Sequence, residues 1–161
     1  MINAAKLHRA SHWLYVHHVP LLPKLFQLTI FLMYNCNVHP KVQIGKKTMF
    51  SHCGIGVLIN ENVKIGDNCI IGNNCSIVGQ KPYRKVPQIG NNVYIGMGAV
   101  IQGPVIIEDN VVIGANAVVN KSVKSGSIVA GIPAKVIGNV ADLPYDFFNG
   151  KADNDTIKDY L

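Results

Sequence analysis

At 161 residues, 48% hydrophobic and only 15% charged, the chain has enough apolar content for one sizeable buried core, which excludes a disordered segment. Its formal net charge of +6 is uneven, with 13 Lys/Arg against 4 Asp/Glu in residues 1–138 and 2 against 5 in residues 139–161. The lysines are scattered and no aromatic-basic motif accompanies them, so an anionic small ligand is expected and a nucleic-acid partner is not.

The chain opens on "MINAAKLHRASHW", which has neither the apolar core nor the small-residue cleavage site of a signal peptide. Residues 4–19 and 21–34 read as two short helices divided by Pro20 and Pro23, within an N-terminal helical segment spanning residues 1–36. Their apolar excess suits capping of a core or packing on a neighbouring subunit. Trp13, Tyr15, Phe26 and Phe31 also allow contact with a membrane surface. The apolar run at residues 25–34 is too short to span a bilayer. A soluble, cytoplasmic protein is expected, with peripheral attachment to the inner membrane as a variant. His8 and His12 lie four apart, as metal ligands on a helix would, but Arg9 stands where a zinc protease needs Glu, and no metal is expected.

From Ile59 an aliphatic residue returns every sixth position: Ile65, Ile71, Ile77, then Ile89, Ile95, Ile101, Ile107, Ile113 and Val119. The fifth position of each unit is small or β-branched, as at Val63, Cys69, Cys75, Ala99 and Ala117. Neither a helical nor a strand period explains a strict six. A short strand followed by a tight turn does, with three units making one triangular coil of a β-solenoid. Gly is frequent at position two, and Gly and Asn there suit a left-handed corner. About five coils are expected over residues 37–138, followed by a polar C-terminal tail at 139–161 with a short final helix. Cys69 and Cys75 occupy repeat positions and read as small buried residues; the four cysteines match neither a zinc spacing nor a disulfide framework.

The rhythm breaks twice. "GQKPYRKVPQ", with Pro82 and Pro87, reads as a loop leaving the solenoid. Upstream, Ile44 and Ile59 are fifteen residues apart, which is not a multiple of six, and His52 lies inside that irregularity.

The six-residue repeat resembles the hexapeptide-repeat acyltransferases, which fold as left-handed parallel β-helices. "AGIPAKVIG" is similar to the segment that closes the helix in coenzyme-A-dependent members. "NVHPKVQIGKKTMFSHCGIGVLINENVKIG" resembles the serine acetyltransferase branch, including short O-acetyltransferases of polysaccharide biosynthesis. The resemblance implies acetyl-coenzyme A as co-substrate, with His52 as the general base and Asn37 at the position of the aspartate that orients it. It implies backbone around Gly79, Met97 and Ala115 beside the pantetheine arm, with Lys135 and Lys121 toward the phosphates. Ser51, Arg84 and Lys85 fall at substrate-binding positions, and the active sites would lie between subunits of a homotrimer. Val86 stands at the place of a substrate-binding histidine and Ser51 at that of an acid, which favours a sugar hydroxyl over serine as acceptor.

The expected reaction is therefore O-acetylation of a sugar or polysaccharide precursor, with His52 deprotonating the attacking hydroxyl. Serine O-acetylation and sugar N-acetylation remain alternatives, as does a catalytically silent scaffold or partner subunit. A zinc hydratase on the same solenoid needs three converging histidines, and the solenoid body holds only His39 and His52. Cys53 is a weaker nucleophile candidate beside His52.

Overall fold

A computed structural model describes residues 2–143 together with Phe147 and Phe148; the tail helix expected near the C-terminus lies outside the described residues. Helix α1 (Ala4–Val16) begins at Asn3, whose side chain accepts the Ala5 N–H, and helix α2 (Leu22–Tyr34) begins with proline in its first turn and ends at Asn35 in the left-handed conformation. Short strands then follow at the hexapeptide period. The first coil holds β1 (Asn37–Val38), β2 (Gln43–Ile44) and β3 (Met49–Phe50); the second β4 (Leu58–Ile59), β5 (Lys64–Ile65) and β6 (Ile70–Ile71). The third and fourth coils add β7 (Ser76–Val78), β8 (Gln88–Ile89), β9 (Tyr94–Ile95), β10 (Val100–Gln102), β11 (Ile106–Ile107) and β12 (Val112–Ile113). A fifth begins with β13 (Val118–Val119) and closes with β14 (Ser127–Ala130), and β15 (Lys135–Asn139) follows it.

Strands of successive coils pair in parallel into three faces: β1-β4-β7-β10-β13, β2-β5-β8-β11, and β3-β6-β9-β12-β14, to which β15 adds antiparallel. The architecture is a left-handed parallel β-helix, its coils as the repeat implies and its hand as the resemblance implies. Register follows the repeat, with Val38, Ile59, Ile77, Ile101 and Val119 stacked as partners on the first face. These side chains are buried, and each aliphatic residue removed from water stabilises the fold by about 1.5–3 kcal/mol. Cys36, Cys69 and Cys75 are buried free thiols in the same core.

One reading of the repeat needs correction, and one is refined. The glycine at position two is required for closeness, not for a left-handed corner. A Cβ on Gly96 would lie 2.5 Å from the Ala115 nitrogen of the next coil, and Gly96 is absent from the positive-φ glycines. The left-handed residue is instead Asn at position four, as at Asn68 (φ 57°), Asn74 (56°), Asn92 (52°), Asn110 (58°) and Asn116 (55°). The fifteen-residue gap also resolves into six plus nine. Phe50, buried and paired with Ile71, fills the repeat's aliphatic slot, and only the corner between Phe50 and Ile59 carries three extra residues. The segment 79–87 leaves the solenoid as a loop, with Val86 resting against the core.

The helices cover the open first coil. Ala4, Ala5, Ile30 and Tyr34 join its core; Arg9 Nη2 donates to the carbonyls of Gly45 (3.1 Å) and Thr48 (2.6 Å). His8 is buried at this seam, its Nε2 3.0 Å from the Val42 carbonyl and its Nδ1 without a partner among the described residues. Burial pushes its imidazole from an ordinary 6.5 down to about 4; the bond to Val42 opposes this, while His12, Arg9 and His39 add to it. His8 Nε2 therefore donates as neutral imidazole, and the unfolded chain binds the proton more readily than the folded one.

The sign follows. This contribution to stability is complete above pH 6.5 and is lost as pH falls toward 4, amounting to about 3 kcal/mol at the acid end. In denaturant titrations, His8→Gln should flatten the loss of stability between these limits relative to the unmodified chain; parallel pH profiles would exclude the role.

Candidate active site

His52 sits on the lengthened corner, in a 3-10 turn over Ser51–Gly54. Phe50 anchors the entry to this turn and Ile59 the exit, so the surplus residues bulge outward. His52 (φ 46°) and Cys53 (φ 63°) are both left-handed, a run that L-residues rarely adopt and that persists only where the surroundings impose it. The surroundings are identifiable. Asn3 Nδ2 donates to the Phe50 carbonyl at 2.6 Å; the Gly56 N–H reaches the Tyr34 carbonyl at 3.0 Å; the Asn74 N–H reaches the Ile55 carbonyl at 2.9 Å. The N-terminal helices and the second coil thus hold the turn from opposite sides. Ser51 is half-buried, whereas the His52 ring is exposed and has no hydrogen-bond partner among the described residues.

Asn37 opens β1 directly beneath Leu58 of β4, and its N–H donates to the Val57 carbonyl, the last residue of the His52 corner, at 2.8 Å. The backbones at Asn37 and His52 are therefore tied to one corner. Their side chains are not joined by a hydrogen bond: Asn37 Oδ1 accepts from Gln27 Nε2 of α2 at 3.2 Å. Lys24, Gln27, Leu28, Phe31, Asn37 and His39 line a cavity of about 500 Å³ between α2 and the first strand. His39 is held structurally, its Nδ1 accepting the Lys41 N–H at 3.1 Å and its ring edge-on to Tyr15.

The remaining candidates fall on two edges of the prism. The edge between the third and first faces carries His52 on coil one, Asn73 on coil two, Met97 on coil three and Ala115 on coil four. The turn from β14 into β15, which ends at Lys135, completes it. His52 and Lys135 are thus separated by four rungs, about 19 Å at a strand spacing of about 4.8 Å. Met97, Ala115 and Lys135 are exposed along this line. Asn73 was not legible as a candidate: its Oδ1 is buried and accepts no hydrogen bond among the described residues. Its only sequence signal was a place in an ordinary "IGNN" corner.

Gly79, Arg84, Lys85 and Lys121 lie on the next edge, between the first and second faces, and the three charged side chains are exposed. Within one chain the width of the first face separates them from the His52 edge. Burial raises the thiols of Cys36 (to about 12), Cys69 and Cys75, leaving none of these three as a ready nucleophile. Among the described residues, no cluster of three or more His, Cys, Asp or Glu is arranged to hold a metal ion.

Profiles of hexapeptide transferases match the chain at residues 62–79 (hexapeptide repeat of succinyl-transferase) and 87–121 (bacterial transferase hexapeptide, six repeats). The serine acetyltransferase of Helicobacter pylori is 34% identical over 139 residues, covering 84% of this chain and 80% of its own length. That of Synechococcus elongatus is 36% identical over 137 residues, covering 84% of this chain and 56% of its own. Among solved structures, serine acetyltransferase from Brucella abortus in complex with coenzyme A superposes with a TM-score of 0.80 at 29% identity, over 84% of this chain and 55% of that one. Soybean serine acetyltransferase complexed with serine gives 0.76 at 30%, over 83% and 56%. The chain spans little more than half of the Synechococcus elongatus enzyme and 63% of the Mycobacterium tuberculosis one.

The corner supplies its own test. Gly54 has φ 91°, and a Cβ there would lie 2.8 Å from the Phe50 ring and 3.1 Å from Ala4. Gly54→Ala should lower stability by about 1–3 kcal/mol, visible as a reduced melting temperature; an unchanged melt would show that the corner relaxes freely.

Proposed function

The chain belongs to the hexapeptide-repeat transferases, in the branch of the serine acetyltransferases, and from that membership we propose that it transfers an acetyl group from acetyl-coenzyme A to a hydroxyl, with His52 as general base. The observation that carries this reading is the alignment of His52, Met97, Ala115 and Lys135 on one edge of the solenoid. An extended acyl donor laid along that edge puts its thioester at His52 and its phosphates toward Lys135. The exposed imidazole accepts the proton of the hydroxyl as the oxygen attacks the acetyl carbonyl; the thiolate then leaves and takes up a proton.

Asn37 ties its strand to the His52 corner through its backbone N–H and brings no charge to it. Its Oδ1 is held by Gln27, and an amide leaves an imidazolium without the stabilisation that a carboxylate would give. Serine is the first acceptor proposed, supported by relatives that are named serine acetyltransferases. A sugar hydroxyl is the second reading, supported by Asn37, Ser51 and Val86 standing where the resemblance expects two acids and a histidine. Homotrimeric assembly fits both, because a second copy could bring an edge bearing Arg84, Lys85 and Lys121 against the His52 edge.

Thiol release from acetyl-coenzyme A, measured with serine, amino sugars, uronic acids and oligosaccharides, separates these acceptors. His52→Ala should reduce turnover about 10²–10⁴-fold with coenzyme A binding retained; undiminished turnover would remove His52 from the mechanism. Asn37→Asp should hold or raise the rate, and a collapse would show that Asn37 does not occupy the orienting position.

A further inference from the structure

Helix α2 is apolar on two opposite faces. Pro23, Ile30 and Tyr34 are buried against the solenoid's first coil and α1. Leu21, Leu25, Leu28 and Leu32 succeed one another at three- and four-residue steps on the other side, and are exposed at 82%, 56%, 51% and 74%. Trp13 and Val16 of α1, with Leu22 and Met33, extend the apolar surface. A helix apolar on two faces is ordinarily covered on both, and a row of exposed leucines of this kind marks an interaction site rather than scatter.

Charge identifies what covers it. The first acidic residue in the sequence is Glu61; before it every charged side chain is basic, namely Lys6, Arg9, Lys24, Lys41, Lys46 and Lys47. Lys24 is exposed on α2 itself, beside the leucines. Within the hairpin itself, residues 1–36, the charged side chains are Lys6, Arg9 and Lys24, so two copies meeting through this face would bring basic surfaces together with no Asp or Glu of either hairpin to offset them. An anionic surface is complementary, and each helix has only 13 residues, too short to cross a bilayer but suited to lying along one. We infer that the outer face of the helical hairpin docks on an anionic lipid bilayer, with the leucines of α2 entering the headgroup boundary and Lys24 meeting lipid phosphates. This rests on the hairpin alone and stands or falls independently of the acetyl-transfer reading.

Trp13 is the only tryptophan in the chain and reports on this face. The full chain should sediment with phosphatidylglycerol-containing vesicles and show a blue-shifted Trp13 emission. Binding should weaken in high salt and be markedly lower on pure phosphatidylcholine. Leu25→Glu with Leu32→Glu should lower the partition coefficient at least tenfold while leaving circular dichroism and the melting temperature unchanged, both positions being exposed. Absence of binding to anionic vesicles would overturn the inference. So would sedimentation analysis in which the double variant loses an oligomeric state that the unmodified chain holds without lipid, since the face would then belong to a second copy. A Lys24→Glu variant that binds anionic vesicles as tightly as the unmodified chain would likewise contradict the charge argument.

Discussion

Successive coils rest on one another at backbone distance. At the corners, glycine lies so near the coil above that no Cβ fits, 2.5 Å from Met97 N at Gly72 and from Ala115 N at Gly96. That closeness fixes the rise at one strand spacing per coil and keeps the three edges straight. Residues separated by one coil in sequence are thereby stacked in space. The long edge from His52 to Lys135 follows from this stacking, one corner above another. Where the repeat is broken, at the nine-residue corner, the chain gains the freedom to turn a histidine outward, and the helices supply the bonds that fix it there.

Much of this was readable as period. Inward aliphatic residues every six positions dictated a solenoid, and the proline-rich 79–87 segment declared itself a loop. Other features were not readable because their cause is between coils. Glycine at position two looks like a turn residue until the neighbouring backbone is seen. Phe50 does not announce itself because an aromatic does not belong to the aliphatic pattern, although the core at this first, helix-capped coil accepts it. The β14–β15 hairpin lies beyond the last hexad, where sheet pairing and not periodicity extends the fold.

The candidate site was legible to different depths. His52 stood out by local resemblance, and its corner is built as a held, strained turn. Asn37 reaches the same corner through its backbone, but its side chain is committed to Gln27, a partner on α2 that no local pattern announced. Asn73 became visible only as a buried acceptor without a donor. Arg84, Lys85 and Lys121 sit on a different edge, so their part in any site depends on how copies of the chain assemble. The helical hairpin thus has two roles: its inner face braces the His52 corner, and its outer face remains available for docking.

On this reading the edge bearing His52 receives the acyl donor along its length. Amide hydrogen exchange with and without coenzyme A tests it most directly. The account predicts slowed exchange at residues 51–57, 97–99, 115–117 and 131–135, with no change on the edge between the second and third faces, at residues 66–68 and 90–92. Protection confined to that other edge, or none at saturating coenzyme A, would contradict it.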